Sequence, residues 1–336
     1  MKVWYTKGLS NTADAMRILR RAYGEDITLV GSHSSPDSPV RGVSDIFLQE
    51  PPSTANYAEW VMEKASENDI DLIIVQRGLM QLWPERDAFE AAGIRLHMSA
   101  SPEVSKLLDR KDLFGLKLEK LDIPTPAFEA FRTLEEFEEA AEILRRDGNA
   151  PDGLCIKPVT GIFGSGFRQL VEDAREEELI LGNRFYEMGL EQLRGMLSRA
   201  PFSRDMMVMR YLPGVERSVD FLARDGRLIT GISRVKHDGF QLLEADGAAL
   251  DHAETLVSQF GLNGICNMQT REDAEGNQFV LEINPRMSGG MQMSCLGGVL
   301  LPAWDVALAL NLRPEGQIPP VADGTIVRLQ EVPVAA

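Results

Sequence analysis

The sequence predicts a mixed chain, α/β in its first part and α+β beyond it. Three observations lead there. Residues 1–103 alternate short apolar strands with helical patterns, as a parallel sheet covered by helices requires. Further on, the apolar runs Gly264 to Gln269 and Phe279 to Ile283 flank a polar turn, Arg271 to Asn277, and read as a hairpin. At 336 residues, with an ordinary globular composition, the chain is long enough for two or three domains with substantial cores.

The elements follow in order. Lys2 to Thr6 reads as a strand, Asn11 to Tyr23 as a helix and Ile27 to Gly31 as a strand. Tyr57 to Asn68 is a helix, Asp71 to Gln76 a buried strand and Pro84 to Ala92 a helix. No G-x-G-x-x-G accompanies Gly8, so a dinucleotide fingerprint is absent. A boundary is expected near Ser99 to Pro102. A helix over Pro102 to Lys120 carries Asp109-Arg110-Lys111 and ends before Ile123-Pro-Thr-Pro126. Thr133 and Glu136 form a capping box for the helix Glu135 to Arg146, whose apolar stripe is Leu134, Phe137, Ala141 and Leu144. The strand Gly153 to Lys157 leads into the loop Gly161-Ile-Phe-Gly164-Ser-Gly166. Arg175 to Arg199 reads as one long helix with Phe185, Tyr186, Leu190, Leu193 and Met196 as a packing stripe. Strands resume at Met206 to Leu212, Ser218 to Leu222 and Leu228 to Val235.

Charge and cysteine usage narrow the function. A net charge of −16 opposes non-specific binding to nucleic acid or anionic membranes, which needs positive potential. No apolar run approaches a membrane span, and Met1-Lys-Val-Trp-Tyr5 enters a strand without the apolar core of a signal peptide. Cys155, Cys266 and Cys295 have neither metal spacing nor an even disulfide framework, so buried thiols in a reducing cytoplasm are expected.

The most informative stretch is Phe279-Val-Leu-Glu-Ile-Asn-Pro-Arg-Met-Ser-Gly-Gly290. Glu282 and Asn284 lie two apart on a strand and point to one side. A carboxylate beside an amide oxygen suits Mg²⁺, and Gln269 joins them across the hairpin. Arg286 presents a planar fork of donors for a phosphate or carboxylate. Lys157 ends a strand that opens into a glycine-rich loop, where backbone amides can approach phosphate oxygens beside its ammonium. The loop is not a Walker A sequence, since no G-K-[ST] opens a helix. Each residue also has a plainer reading, as a half-buried strand polar, a solvated lysine or a turn residue. The basic patch Arg234, Lys236 and His237 reads equally as a solvated strand end or as a contact to a γ-phosphate or substrate carboxylate. His33 stands at a strand's C-terminal end, where ligand loops gather. Taken together, the set points to an enzyme acting on nucleotide phosphates.

In this order, Lys111, Lys157 with its glycine loop, Tyr211-Leu-Pro-Gly-Val-Glu216, Asn267-Met-Gln269 and Glu282-Ile-Asn-Pro-Arg286 resemble the ATP-grasp superfamily. The nearest likeness is to the synthetase halves of carbamoyl-phosphate synthase and related carboxylate–amine ligases. The resemblance covers nearly the whole chain. It implies a Rossmann-like pre-ATP-grasp domain over 1–103, then ATP-grasp lobes over 104–207 and 208–336. It further implies that Lys111 and Lys157 contact ATP phosphates, with Gly161, Phe163, Gly164 and Gly166 closing over them. Met209, Arg210, Tyr211 and Leu212 would form a hinge reading adenine, and Glu216 would hold the ribose. Gln269, Glu282 and Asn284 would bind one or two Mg²⁺ ions. Arg286, with Arg234 and Lys236, would stabilise the transferring phosphoryl group or the acyl phosphate.

The implied reaction activates a small carboxylic acid, amino acids among the candidates, as an acyl phosphate and couples it to an amine, releasing ADP and phosphate. No protein nucleophile is needed, and no Ser–His–Asp or activated-Cys pattern is present to supply one. The implied partners are small-molecule carboxylate and amine substrates, with no nucleic acid and no membrane, and a homodimer is compatible with the family. Two other readings stay open, release of the acyl phosphate without ligation and a catalytically silent ATP-binding regulator. The chain departs from the family at Arg210, where many members carry Glu, and in having one synthetase half.

Overall fold

The structure is a computed structural model and describes residues 1–9, 11–52, 55–146, 148–161, 164–172, 177, 181 and 185–330. The chain divides into two compact units. The first comprises Met1–Ser105, Arg217–Met268 and Ile283–Ala336, and the second Lys106–Glu216 and Gln269–Glu282.

The first unit opens with a sheet of β1 (Lys2–Tyr5), β2 (Thr28–His33), β3 (Ile46–Gln49), β4 (Leu72–Ile74) and β5 (Arg95–His97), in the order β3-β2-β1-β4-β5. Every neighbouring pair is parallel. Period-two alternation sends Val3 and Tyr5 to one face, packed with Met16 and Leu19 of the helix Thr12–Tyr23. Trp4 goes to the other face, with Tyr57 and Val61 of the helix Tyr57–Glu67. Helices on both faces are what a buried parallel sheet demands. The chain runs outward from β1 to β3 and then restarts at β4 on the other side, so the ends of β1 and β4 form a topological switch point. The expected strands and helices are present, whereas β3 and β5 are too short to have stood out. The helix expected over Pro84 to Ala92 is present as Arg86–Ala91, preceded by a turn at Trp83–Glu85 and by a short helix, Leu79–Leu82, that the sequence reading did not anticipate.

The second unit holds β6 (Phe128–Phe131), β7 (Leu154–Pro158), β8 (Arg168–Val171), β9 (Glu187–Gly189) and β10 (Met206–Arg210), ordered β6-β10-β7-β8-β9. Its core joins Ile156 and Val208 to Phe137, Leu144 and Leu193 from the helices Leu134–Arg146 and Leu190–Leu197. The capping box forms, with Thr133 N donating to Glu136 Oε2 (3.0 Å) and Glu136 N to Thr133 Oγ1 (3.2 Å). Two expectations need correction. The helix over Pro102 to Lys120 is broken into Pro102–Asp109 and Lys111–Glu119, because Arg110 takes an extended backbone (φ −91°, ψ 96°) and its Nε donates to Asp112 (2.9 Å). The long helix Arg175 to Arg199 is interrupted: Glu177 and Leu181 are helical, β9 then runs parallel to β8, and helix resumes at Leu190–Leu197. Residues 173–176, 178–180 and 182–184 fall outside the described residues. Phe185 and Tyr186, expected to pack, are exposed.

A third sheet contains β11 (Glu216–Arg224), β12 (Arg227–His237), β13 (Phe240–Glu244), β14 (Gly264–Glu272), β15 (Gln278–Asn284) and β16 (Ile326–Val327), ordered β15-β14-β11-β12-β13-β16. β11, β12 and β13 form an antiparallel meander. Asp225 and Gly226 join β11 to β12 with positive φ (51° and 73°), as a tight hairpin turn requires. The helix Leu301–Ala309 adds Leu301, Trp304 and Val306 to the core around Met16 and Leu19. It is buried nearly all round, so it lacks the amphipathic period that reveals a surface helix. Among the described residues no single helix is long and apolar enough to cross a membrane.

Candidate active site

In the second unit the break at Arg110 makes Lys111 the first residue of its helix, and the Lys111 amide donates to Val159 O (3.1 Å). Its side chain spans two features named from the sequence. The ammonium donates to Gly161 O (2.8 Å) and stands 3.5 Å from Glu282 Oε2. Lys157, on β7, senses both groups. Burial pushes its pKa down, Glu282 opposes that, and the Lys111 ammonium pushes it down again. Among the described residues, two ammoniums thus stand near the Glu282 carboxylate, a setting that suits an anionic ligand. Gly161 (φ 147°) and Gly166 (φ 82°) take backbone conformations that favour glycine, and a Cβ on Gly166 would stand 2.8 Å from the Pro158 ring. Gly164 opens the turn, its carbonyl accepting from Phe167 N (3.0 Å). Phe163 lies outside the described residues.

The segment Met209 to Leu212, expected to act as a hinge, leaves β10 with Met209 and Leu212 buried. Arg210 and Tyr211 spend their amides on Ala127 O and Gly153 O, both at 2.9 Å. Among the described residues, the Leu212 amide is then the hinge donor without a partner. The Arg210 side chain reaches Asp273 (3.2 Å) and Asp152 (3.4 Å) and lies over the Phe279 ring (5.0 Å to the centroid). It therefore braces the unit's frame. Glu216 Oε2 stands 3.7 Å from Arg271 Nη1, and the same guanidinium covers the Tyr211 ring and donates to Gly214 O (3.2 Å).

Gln269 on β14 and Glu282 on β15 are half-buried on neighbouring strands. Asn284 follows Glu282 by two residues on β15, and its Oδ1 accepts from Arg286 Nη2 (3.1 Å). Within the second unit, the Glu282 carboxylate and the Gln269 amide oxygen are of the donor type a hard cation takes while it keeps phosphate and water oxygens in its shell. Among the described residues no cluster of three His, Cys, Asp or Glu exists to hold a metal by protein alone. The donor set thus suits Mg²⁺ arriving with a nucleotide.

Arg234 differs from what its sequence context suggested. In the first unit it is 3% exposed, and its Nε donates to Asp220 Oδ2 (2.9 Å) and Ser294 Oγ (2.9 Å). Nη1 donates to Gln241 Oε1 (2.7 Å), while Nη2 donates to Ser218 Oγ (2.9 Å) and Ser288 Oγ (3.0 Å). Asn267 Nδ2 completes the network on Ser218 Oγ, Val219 O and Asp220 Oδ1. Ser288 Oγ also accepts from Gly290 N (3.2 Å), so the network holds the loop that follows Arg286. Lys236, two residues on from Arg234, shares its strand face and is half-buried. His237 stacks on Phe240, and His33 Nδ1 accepts from Ser35 N in its own turn (2.9 Å). Sequence reading passed over Asp220 and Ser294. The available signal was a charge inside the buried run Val219-Asp-Phe-Leu222, which implies a buried partner.

Comparisons with known proteins converge on one superfamily. A family described as "ATP-grasp in the biosynthetic pathway with Ter operon" matches residues 202–333. The carbamoyl phosphate synthase large chain of Clostridium botulinum is 31% identical over 202 residues, covering 54% of this chain and 16% of that protein. The arginine-specific large chain of Geobacillus stearothermophilus is 25% identical over 282 residues, covering 79% of this chain and 24% of that one. The chain spans about a quarter or less of the length of these relatives. Among solved structures, an ADP complex of N5-carboxyaminoimidazole ribonucleotide synthetase superposes with a TM-score of 0.66 at 13% identity, over 96% of this chain and 78% of that one. L-amino acid ligase from Bacillus licheniformis gives 0.62 at 16% identity, over 95% and 77%. The fold, the order of the motifs and these matches agree on one likeness: residues 202–333 match an ATP-grasp family, and the chain is similar to the carbamoyl phosphate synthase large chain.

Proposed function

We propose that the protein is an ATP- and Mg²⁺-dependent ligase that activates a small carboxylic acid as an acyl phosphate and couples it to an amine. The observation that carries this reading is Lys111 bridging Gly161 O and Glu282, beside a desolvated Lys157. In this reading Lys111 and Lys157 hold the nucleotide phosphates. The Leu212 amide and the Met209 and Leu212 side chains take the base, and Glu216 accepts from the ribose. Mg²⁺ would be held by Gln269, Glu282 and Asn284 and supplies charge neutralisation on the transferred phosphoryl oxygens.

Arg286 offers its fork to the substrate carboxylate, aided by Lys236, while Arg234 keeps the loop after Arg286 in place. A carboxylate oxygen attacks the γ-phosphorus and ADP leaves. The amine then attacks the acyl carbon, phosphate departs, and the amine nitrogen loses a proton. Positioning and charge stabilisation suffice for both steps. The similarity to carbamoyl phosphate synthase and to an amino acid ligase supports the class, and three buried free cysteines support a reducing, cytoplasmic setting.

The test is phosphate release from Mg-ATP against pools of carboxylic acids and amines, with the nucleotide product identified. ADP and phosphate that depend on one acid and one amine are expected. AMP and pyrophosphate would overturn attack at the γ-phosphate.

A further inference from the structure

We propose that Lys111 masks Glu282, the carboxylate assigned to the metal, so that a divalent cation binds there only with or after the nucleotide. The proposal rests on the nucleotide and metal assignments made above. It concerns the second unit alone, which holds Lys111, Lys157, Gln269 and Glu282. Lys111 Nζ stands 3.5 Å from Glu282 Oε2, and the two side chains are only 11% and 19% exposed. At that depth water and salt screen the pair weakly, so the attraction exceeds that of a surface ion pair. The same ammonium donates to Gly161 O (2.8 Å), which ties the start of the glycine loop to the carboxylate.

Backbone contacts fix where Lys111 begins. Its amide donates to Val159 O (3.1 Å), and Val159 N donates to Asp205 O (3.1 Å). Arg110, the extended residue before it, donates through Nε to Asp112 (2.9 Å), and its Nη2 lies 3.8 Å from Asp205 Oδ2. With the backbone anchored on both sides of the break, the ammonium moves through its flexible four-carbon stem. It can therefore exchange one oxygen partner for another without any shift of the helix Lys111–Glu119.

Mg²⁺ held by Glu282 would sit about 2.1 Å from a carboxylate oxygen, against an ammonium already engaged there. Two cations on one half-buried carboxylate repel each other. Lys157, on β7, lies in the field of the same carboxylate and of the Lys111 ammonium. Nucleotide phosphates resolve the competition, because their oxygens offer Lys111 another partner and offer the ion further ligands. The carboxylate then passes from the ammonium to the metal. That exchange sets an order of binding, with the phosphates preceding the ion or arriving with it.

The test titrates Mn²⁺, without nucleotide, into the full chain and reads the free-ion electron paramagnetic resonance signal. Lys111→Met keeps most of the stem and removes the charge, so it should bind Mn²⁺ at least about tenfold more tightly than wild type. Adding Glu282→Gln to K111M should abolish that gain. A second measurement, ADP binding in EDTA by calorimetry, needs no Lys111 variant. Without metal, Glu282→Gln should tighten ADP about threefold or more, since Lys111 no longer leaves a carboxylate to meet the phosphates. With Mg²⁺ present the same variant should bind ADP more weakly than wild type. The proposal is overturned if wild type binds Mn²⁺ alone as tightly as K111M, or if the gain in K111M survives Glu282→Gln. It is equally overturned if ADP binds without metal and Glu282→Gln leaves that affinity unchanged. Wild type that binds both ADP and Mn²⁺ independently would sink the masking and leave the nucleotide assignment standing. A Glu282-dependent gain in K111M, with no ADP bound by wild type with or without Mg²⁺, would sink the nucleotide assignment and leave the masking.

Discussion

Glu282 shares its surroundings with the Lys111 and Lys157 ammoniums, and that governs what its loss does. Glu282→Gln should lower phosphate release at least about a hundredfold, since charge on the transferred group goes uncompensated. The fold should survive, because the side chain lies outside the apolar cores; parallel melting curves and turnover assays check both halves. A second residue carries a pH signature. His97 Nε2 stands 2.7 Å from Asp305 Oδ1, both nearly buried. Burial works against the imidazolium, but the Asp305 charge and hydrogen bond prevail and raise the pKa above its ordinary 6.5. A raised folded pKa contributes stability that is complete below the unfolded value and is lost as pH climbs through the folded one. The urea midpoint should therefore fall as pH rises from about 6 upward. His97→Gln should flatten that slope, and an unchanged slope would remove His97 as its source.

At the scale of elements, the loop after β15 depends on a close approach. A Cβ on Gly290 would stand 2.6 Å from Arg234 Nη1, inside a network with no slack. Gly290→Ala should cost about 1–3 kcal/mol, read as a lower denaturant midpoint, and should impair turnover by shifting the Arg286 loop. Thr133→Ala should cost about 1 kcal/mol through its capping bond, with turnover intact. The capping box was legible because its signal is local, two side chains three residues apart. So were the strands bearing Lys157 and Glu282, whose apolar alternation is their own. The break at Arg110 was not legible, because it depends on Lys111 N finding Val159 O across the unit. Arg234 looked like a ligand group for the same reason. Its partners Ser218, Asp220, Ser288 and Ser294 are distant in sequence, and only folding shows that they consume its donors.

For the whole molecule, a nucleotide that binds only the folded protein adds stability by mass action. Mg-ADP at about a hundred times its Kd should contribute about 3 kcal/mol, seen as a higher melting temperature. That gain should shrink in Lys157→Met, which lacks one of the two ammoniums, and an undiminished gain would argue against Lys157 as a phosphate contact. Because the chain's net charge of −16 repels polyanions while these lysines attract a small one, duplex DNA should give no comparable rise.

One core cluster joins Val3 and Leu19 to Trp304, Val306 and Val327. During translation the amino-terminal strands leave the ribosome long before Leu301–Ala309 exists, so the apolar flank of the helix Thr12–Tyr23 waits without its cover. The second unit also closes late, since it needs Gln269–Glu282. The first unit's core is therefore completed only after Leu301–Ala309 has been made, and nascent chains halted before Leu301 should be the species that recruit chaperones.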